Sequence, residues 1–190
     1  MAVVLIGPVA VGKSTVGELL APLLGSEFID LDEFAADAYA HSGQSVDALI
    51  EHAKAHGFVA AHRWWQPARL LAVREVLRQH PDAVIAFGAG HSHFEDDQLA
   101  EEVATLLEPH LVVLLLPSAD PVDAVRTLRS RCIADRGEDQ DWLFDDVDFL
   151  DDWVRSEQNR AVADLVITVD GCSPGEIASA LAATCDRVLP

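Results

Sequence analysis

The run Gly7-Pro8-Val9-Ala10-Val11-Gly12-Lys13-Ser14-Thr15 constrains this chain more than any other stretch. It has the spacing G-x-x-x-x-G-K-[ST]. It lies between a continuous apolar run, Ala2 to Ile6, and a segment whose Val16, Leu19, Leu20, Leu23 and Leu24 fall on one helical stripe. An apolar run without polar alternation predicts a strand buried on both faces, and Gly25 predicts the end of the helix. Strand, glycine-bearing turn and helix in this order open a parallel α/β sheet, because parallel strands need a crossover between them.

The rest of the chain repeats the pattern. Glu27 to Asp30, Ala83 to Phe87, Leu111 to Leu116 and Leu165 to Val169 are four further strand candidates. Helical periodicity covers much of 31–79, then 96–107, 119–131, 145–163 and 174–187. The expectation is a five-stranded parallel sheet flanked by helices, with right-handed crossovers. At 190 residues, with no internal repeat or linker, residues 1–190 are expected to form one domain. Residues 132–152 are rich in carboxylates and poor in aliphatics, and predict a mobile segment, with a lid at about 132–148.

The glycine-rich turn carries chemistry. Its backbone N–H groups and the positive end of the following helix suit a nucleotide phosphate, with Gly7 and Gly12 taking conformations that side chains obstruct. Val9, Ala10, Val11 and Thr15 complete the cradle; Lys13 would bridge the β- and γ-phosphates of ATP, and Ser14 would offer an oxygen to Mg²⁺. Phe28-Ile29-Asp30-Leu31-Asp32 closes the second strand, where alternation would turn Asp30 and Asp32 to the same side at the edge where open parallel sheets bind ligands. Helix capping by Asp32 is the plainer reading of the same residues.

Composition excludes other classes. A formal charge of −19 leaves no basic track for nucleic acid and disfavours anionic membrane surfaces. Apolar runs are too short to span a bilayer. Cys132, Cys172 and Cys185 lack metal-ligand spacing, and no secretory leader is legible, so reduced thiols and a cytoplasmic location are expected.

Taken together, the turn, the F-x-D-x-D that follows it, and a third strand ending in Gly88-Ala89-Gly90 resemble the shikimate kinase family, whose fold is that of the nucleoside-monophosphate-kinase-like P-loop kinases. The resemblance spans nearly the whole chain. It implies phosphoryl transfer from ATP to a hydroxyl of a small metabolite, with Ser14 and Asp30 handling Mg²⁺ and Asp32 meeting the acceptor hydroxyl. It also implies lid arginines, for which Arg126 and Arg129 have similar spacing, Arg126 on the nucleotide side and Arg129 in catalysis; Arg131 and Arg136 are further candidates. Gly88, Ala89, Gly90 and Arg155, nine residues before Asp164, would meet the acceptor.

Departures from the family pattern fall on the acceptor side. The G-G-G turn is interrupted by Ala89, the lid reads Arg131-Cys-Ile-Ala-Asp-Arg136, and the family's F-R pair is replaced by a stretch in which Arg63 or Arg69 could substitute. His91 follows the turn and could contact the acceptor or take its proton. Trp64 and Trp65 point about a hundred degrees apart on a helix, so one can face the core and the other a pocket. The expectation is a kinase with a rebuilt acceptor pocket. A nucleoside or nucleotide kinase, with a base held by Trp64 or Trp65, and a non-catalytic nucleotide-binding switch, for which Asp32 and Arg155 would be dispensable, are the alternatives.

Overall fold

The computed structural model of the protein describes residues 1–42, 44–136 and 141–188. In chain order the first half comprises β1 (Val3–Ile6), α1 (Lys13–Leu24), β2 (Phe28–Asp30), α2 (Leu31–Ser42), α3 (Val46–His56), α4 (Phe58–Trp64), α5 (Gln66–Gln79) and β3 (Val84–Ala86). The second half comprises α6 (Asp97–Leu107), β4 (Leu111–Leu116), α7 (Pro121–Arg136), β5 (Leu143–Phe144), β6 (Val147–Asp148), α8 (Phe149–Arg155), α9 (Glu157–Val162), β7 (Leu165–Thr168) and α10 (Pro174–Val188).

Five strands form one parallel sheet in the order β2-β3-β1-β4-β7, with Val4 of β1 opposite Ile85 of β3 and Val112 of β4. The central strands are apolar throughout because both faces are covered. Val4 and Ile6 join Ile85, Val112 and Leu114 in one core, while Val3 and Leu5 join Val84, Leu111 and Val113 in the other. Each such side chain contributes about 1.5–3 kcal/mol on burial. At the edge the fifth strand differs from the expected buried run: β7 has neighbours on one side only, and Val166 is 49% exposed.

The helical stretch from 31 to 79 consists of α2, α3, α4 and α5, with Gly57 at φ 86° between α3 and α4. One helical expectation is corrected: residues 145–163 are not one helix. Asp148 caps α8 by accepting from the Leu150 and Asp151 N–H groups, and Ser156, accepting from Asn159 N, opens α9. Ahead of α8 the carboxylate-rich stretch folds back as an antiparallel ribbon, β5 with β6, whose Phe144 stacks on Phe58 of α4 at 4.2 Å between ring centroids.

Gly25 ends α1 in the left-handed region at φ 64°, as the sequence predicts. Gly7 leaves β1 at φ 137°, and a Cβ there would lie 2.4 Å from the Leu115 carbonyl oxygen. Gly7→Ala is therefore expected to cost roughly 3 kcal/mol or more, through strain and a backbone clash together. Thermal or denaturant unfolding of the variant checks it; a midpoint equal to wild type would contradict the close packing of β1 against β4.

Candidate active site

β1 delivers the chain into the glycine-rich turn, which carries Ala10 at φ 58° and Gly12 at φ 104° before α1 begins at Lys13. The Lys13 ammonium lies folded over this turn and donates to the carbonyl oxygens of Gly7 at 2.9 Å and Pro8 at 2.7 Å. Burial lowers its pKa to about 8, against the nearby Asp32 and Asp30 carboxylates, which push it up. The Ser14 hydroxyl donates to Asp30 Oδ2 at 2.6 Å.

The two aspartates do not alternate along one strand. β2 stops at Asp30, Leu31 already belongs to α2, and Asp30 Oδ1 accepts from Asp32 N at 2.9 Å. Asp30 thus holds the serine with one oxygen and the start of α2 with the other. The Asp32 side chain, 69% exposed, borders the space outside the turn, with His91 Nδ1 3.7 Å from its Oδ1.

That space is two adjoining cavities. One, of about 200 Å³, is bordered by Val9, Ala10, Gly12, Lys13, Ser14, Thr15 and Asp30. The second, of about 300 Å³, is walled by Phe58, Trp65, Trp142, Trp153 and Arg69. Val9, Asp32, Gly88 and Ala89 border both. Val11, 3% exposed, packs into the core beneath the turn and reaches neither cavity.

Gly88 and Gly90 are small because side chains fill the space a Cβ would need. A Cβ on Gly88 would lie 2.1 Å from Asp32 Oδ1 and 2.7 Å from His91 Nδ1; one on Gly90 would lie 2.2 Å from Arg69 Nη1. Arg69 donates from Nη1 to Gly90 O at 2.6 Å and from Nη2 to His62 O at 3.3 Å, and its guanidinium stands 5.3 Å from the centroid of the Phe94 ring. It is 3% exposed, and among the described residues no carboxylate lies within ion-pair distance of it. Burial lowers its pKa to about 10, against Tyr39 and Glu95, which push it up. The sequence offered Arg69 beside Arg63 without a means to choose, since helical phase alone does not say which face meets the turn.

His91, expected at the acceptor, is 4% exposed, and its Nε2 is taken by the Tyr39 hydroxyl at 2.6 Å. It borders the second cavity, but neither ring nitrogen is open to it. Trp64 stacks on His52 on the outside of the molecule, while Trp65 packs on Tyr39 and borders the second cavity.

The arginines divide. Arg63 and Arg155 meet around a third cavity of about 750 Å³, joined to the second at His62, where Arg63 pairs with Glu95 and Arg155 with Asp151. Asp146, Asp148, Asp152 and Glu157 also border it, and burial raises the Asp152 carboxyl. Arg126 is exposed and paired with Asp123, and Arg129 braces α8 through Asp148. Arg131 instead reaches the turn, donating to Ala10 O at 3.2 Å. The side chain of Arg136 and residues 137–140 of the expected lid lie outside the described residues.

A glycine-rich turn on a parallel sheet, with a lysine over it and an aspartate opening onto a second small cavity, defines a P-loop kinase of small molecules. The shikimate kinase family model matches residues 9–185, and the chain belongs to that family, whose members are ATP-dependent kinases acting on a small metabolite. A shikimate kinase of Streptomyces avermitilis is 28% identical over 94% of this chain and 92% of its own length. One of Salinispora arenicola is 38% identical over 65% of this chain and 62% of its own. The solved shikimate kinase of Acinetobacter baumannii, in complex with shikimate, shares the fold with a TM-score of 0.66 at 22% identity, over 100% of this chain and 95% of that one. Among the described residues no helix is long and apolar enough to cross a membrane.

Proposed function

We propose that this enzyme moves the γ-phosphoryl group of ATP to a hydroxyl of a small metabolite other than shikimate, in an acceptor pocket rebuilt around Arg69 and the aromatic walls. The observation that carries the reading is the position of Asp32, whose carboxylate borders both the cavity at Lys13 and the cavity at Arg69. An acceptor hydroxyl between them would meet the phosphoryl group on one side and a base on the other. As the acceptor oxygen bonds to the γ-phosphorus, the bond to the bridging oxygen breaks, ADP leaves, and Asp32 accepts the hydroxyl proton.

Lys13, drawn off the Gly7 and Pro8 carbonyls, offsets charge on the phosphoryl oxygens, and Arg131, which reaches the turn at Ala10 O, is placed to do the same. Ser14 and Asp30 are hard oxygen donors 2.6 Å apart and suit Mg²⁺, which would neutralise phosphate charge when bound with ATP. Residues 1–190 act as one kinase domain, with 132–148 as the lid over the cavities. Arg69 supports an anionic group on the acceptor, since a buried guanidinium lacking a carboxylate is completed by one. Arg155, which stands where the resemblance expects an acceptor arginine, and Arg63, a candidate substitute for the other, are each paired with an acid in a cavity crowded with carboxylates. For the nucleoside alternative, Trp64 is exposed and stacked on His52, whereas Trp65, packed on Tyr39, does border the second cavity.

The test is ATP consumption across hydroxylated metabolites, with shikimate as one arm. Turnover is expected on an anionic hydroxylated ring compound, falling at least about tenfold in Arg69→Gln. A kcat/KM on shikimate above roughly 10⁴ M⁻¹s⁻¹ would overturn the rebuilt pocket and leave the family's own reaction in its place.

A further inference from the structure

We propose that His91 is a positioning residue whose Nδ1 proton holds the Asp32 carboxylate toward the acceptor hydroxyl, with the Tyr39 hydroxyl occupying the other ring nitrogen. The proposal rests on Asp32 as the group that meets the acceptor. It assigns His91 a role behind that group instead of at the substrate.

Three side chains and one missing side chain make the arrangement. The His91 ring is enclosed, with Phe87 edge-on at 6.5 Å and Tyr39 near-parallel at 6.4 Å between centroids. Its Nε2 lies 2.6 Å from the Tyr39 oxygen. Its Nδ1 is buried without a hydrogen-bond partner, and Asp32 Oδ1 stands 3.7 Å away. Gly88 opens the gap in which the two meet, since a Cβ there would strike both atoms.

The protonation pattern follows from the surroundings. Burial, together with the positive charges of Arg69 and Lys13, outweighs the Gly88 backbone contact and holds the His91 pKa down at about 3, so the ring is neutral and carries one proton. Burial raises the Tyr39 hydroxyl well above its usual value, so the phenol keeps its proton. If the ring proton sat on Nε2, Nδ1 would turn a lone pair toward a carboxylate, which repels it. With the phenol donating to Nε2, the ring proton sits on Nδ1 and faces Asp32 Oδ1, about 0.7 Å beyond an ordinary N–H···O distance. A small rotation of the exposed Asp32 side chain closes that gap and removes the rotamers in which the carboxylate points away from the acceptor.

The tautomer can be read by ¹⁵N NMR of histidine-labelled free enzyme, with the His91 signals assigned from their loss in His91→Asn. Wild type is expected to show a neutral ring protonated on Nδ1, against the Nε2 preference of free imidazole. Tyr39→Phe is expected to keep the Nδ1 proton, because Asp32 still faces it, and Tyr39→Phe/Asp32→Ala to revert to mostly Nε2–H. A wild-type ring protonated on Nε2, or reversion already in Tyr39→Phe, would overturn the proposal. A kinetic arm uses as probe the hydroxylated metabolite turned over fastest in the ATP-consumption screen. His91→Gln, whose amide reaches the Nε2 position, is expected to lose about tenfold in kcat with KM for ATP within twofold, and His91→Asn, whose amide N–H stands at Nδ1, to recover it. Equal kcat in the two variants counts against positioning. Because the tautomer is read without any acceptor, its failure is separate from a failure of Asp32 as the acceptor's partner, which would show as unchanged kcat in Asp32→Asn.

Discussion

Lys13→Met is expected to lower phosphoryl transfer by at least about 10²-fold at saturating ATP while the fold survives. The ammonium is 8% exposed and bonded to two carbonyl oxygens of its own loop, so in the free protein it serves the loop alone. Phosphates are the groups it would gain, and the charge that builds on their oxygens during transfer has no other lysine nearby, Lys54 lying on α3. Methionine is unbranched, of similar reach and compatible with the first turn of α1. It also removes a charge whose burial is unfavourable. The check is steady-state transfer alongside thermal unfolding. Transfer within threefold of wild type would remove the catalytic role assigned to the glycine-rich turn.

Asp32→Asn is expected to depress kcat by about 10²- to 10⁴-fold at saturating metal, whereas Asp30→Asn is expected to raise the Mg²⁺ concentration needed for half-maximal turnover. The separation follows from what each carboxylate already holds. Asp30 binds the Ser14 hydroxyl through Oδ2 and the Asp32 N–H through Oδ1, so its amide variant loses an oxygen where a cation and the serine would share it. Asp32 lies where the two cavities join, and its carboxylate borders both. A Mg²⁺ titration of both variants distinguishes them. If added metal rescues both alike, Asp32 belongs to the metal and the acceptor must find its base elsewhere.

Arg63, Arg69 and Arg155 show how far the acceptor side was legible. Spacing to the family pattern marks Arg155 alone; Arg63, a substitute candidate beside Arg69, borders the same cavity. What spacing could not carry was their partners, Glu95 and Asp151, which come from the chain after the third strand and from the turn of helix before Arg155. Exposed pairs of this kind hold little energy, yet they decide which cations stand open to a ligand. Arg69 was one of two options in the sequence. It is singled out only because Gly90 brings its carbonyl within 2.6 Å of Nη1 and the Phe94 ring covers the guanidinium. Its place after the turn suggests an acceptor contact for His91, but Tyr39, fifty-two residues earlier, occupies its Nε2.

By itself the sequence determined the sheet, the glycine-rich turn and the placing of Lys13, Ser14 and Asp30 beside it. These depend on local rules: apolar runs buried on both faces, glycines where φ is positive, and a lysine and serine fixed by the first turn of the helix they start. Tertiary structure decided the acceptor side: the folding back of 143–148 onto Phe58, the sharing of Asp32 between two cavities, and the choice among arginines and histidines. Those features join α2, α4, α5, the third-strand turn and α8, which lie far apart along the chain. Their side chains find partners only after the sheet has set the distances between the helices, so no spacing in the sequence encodes them.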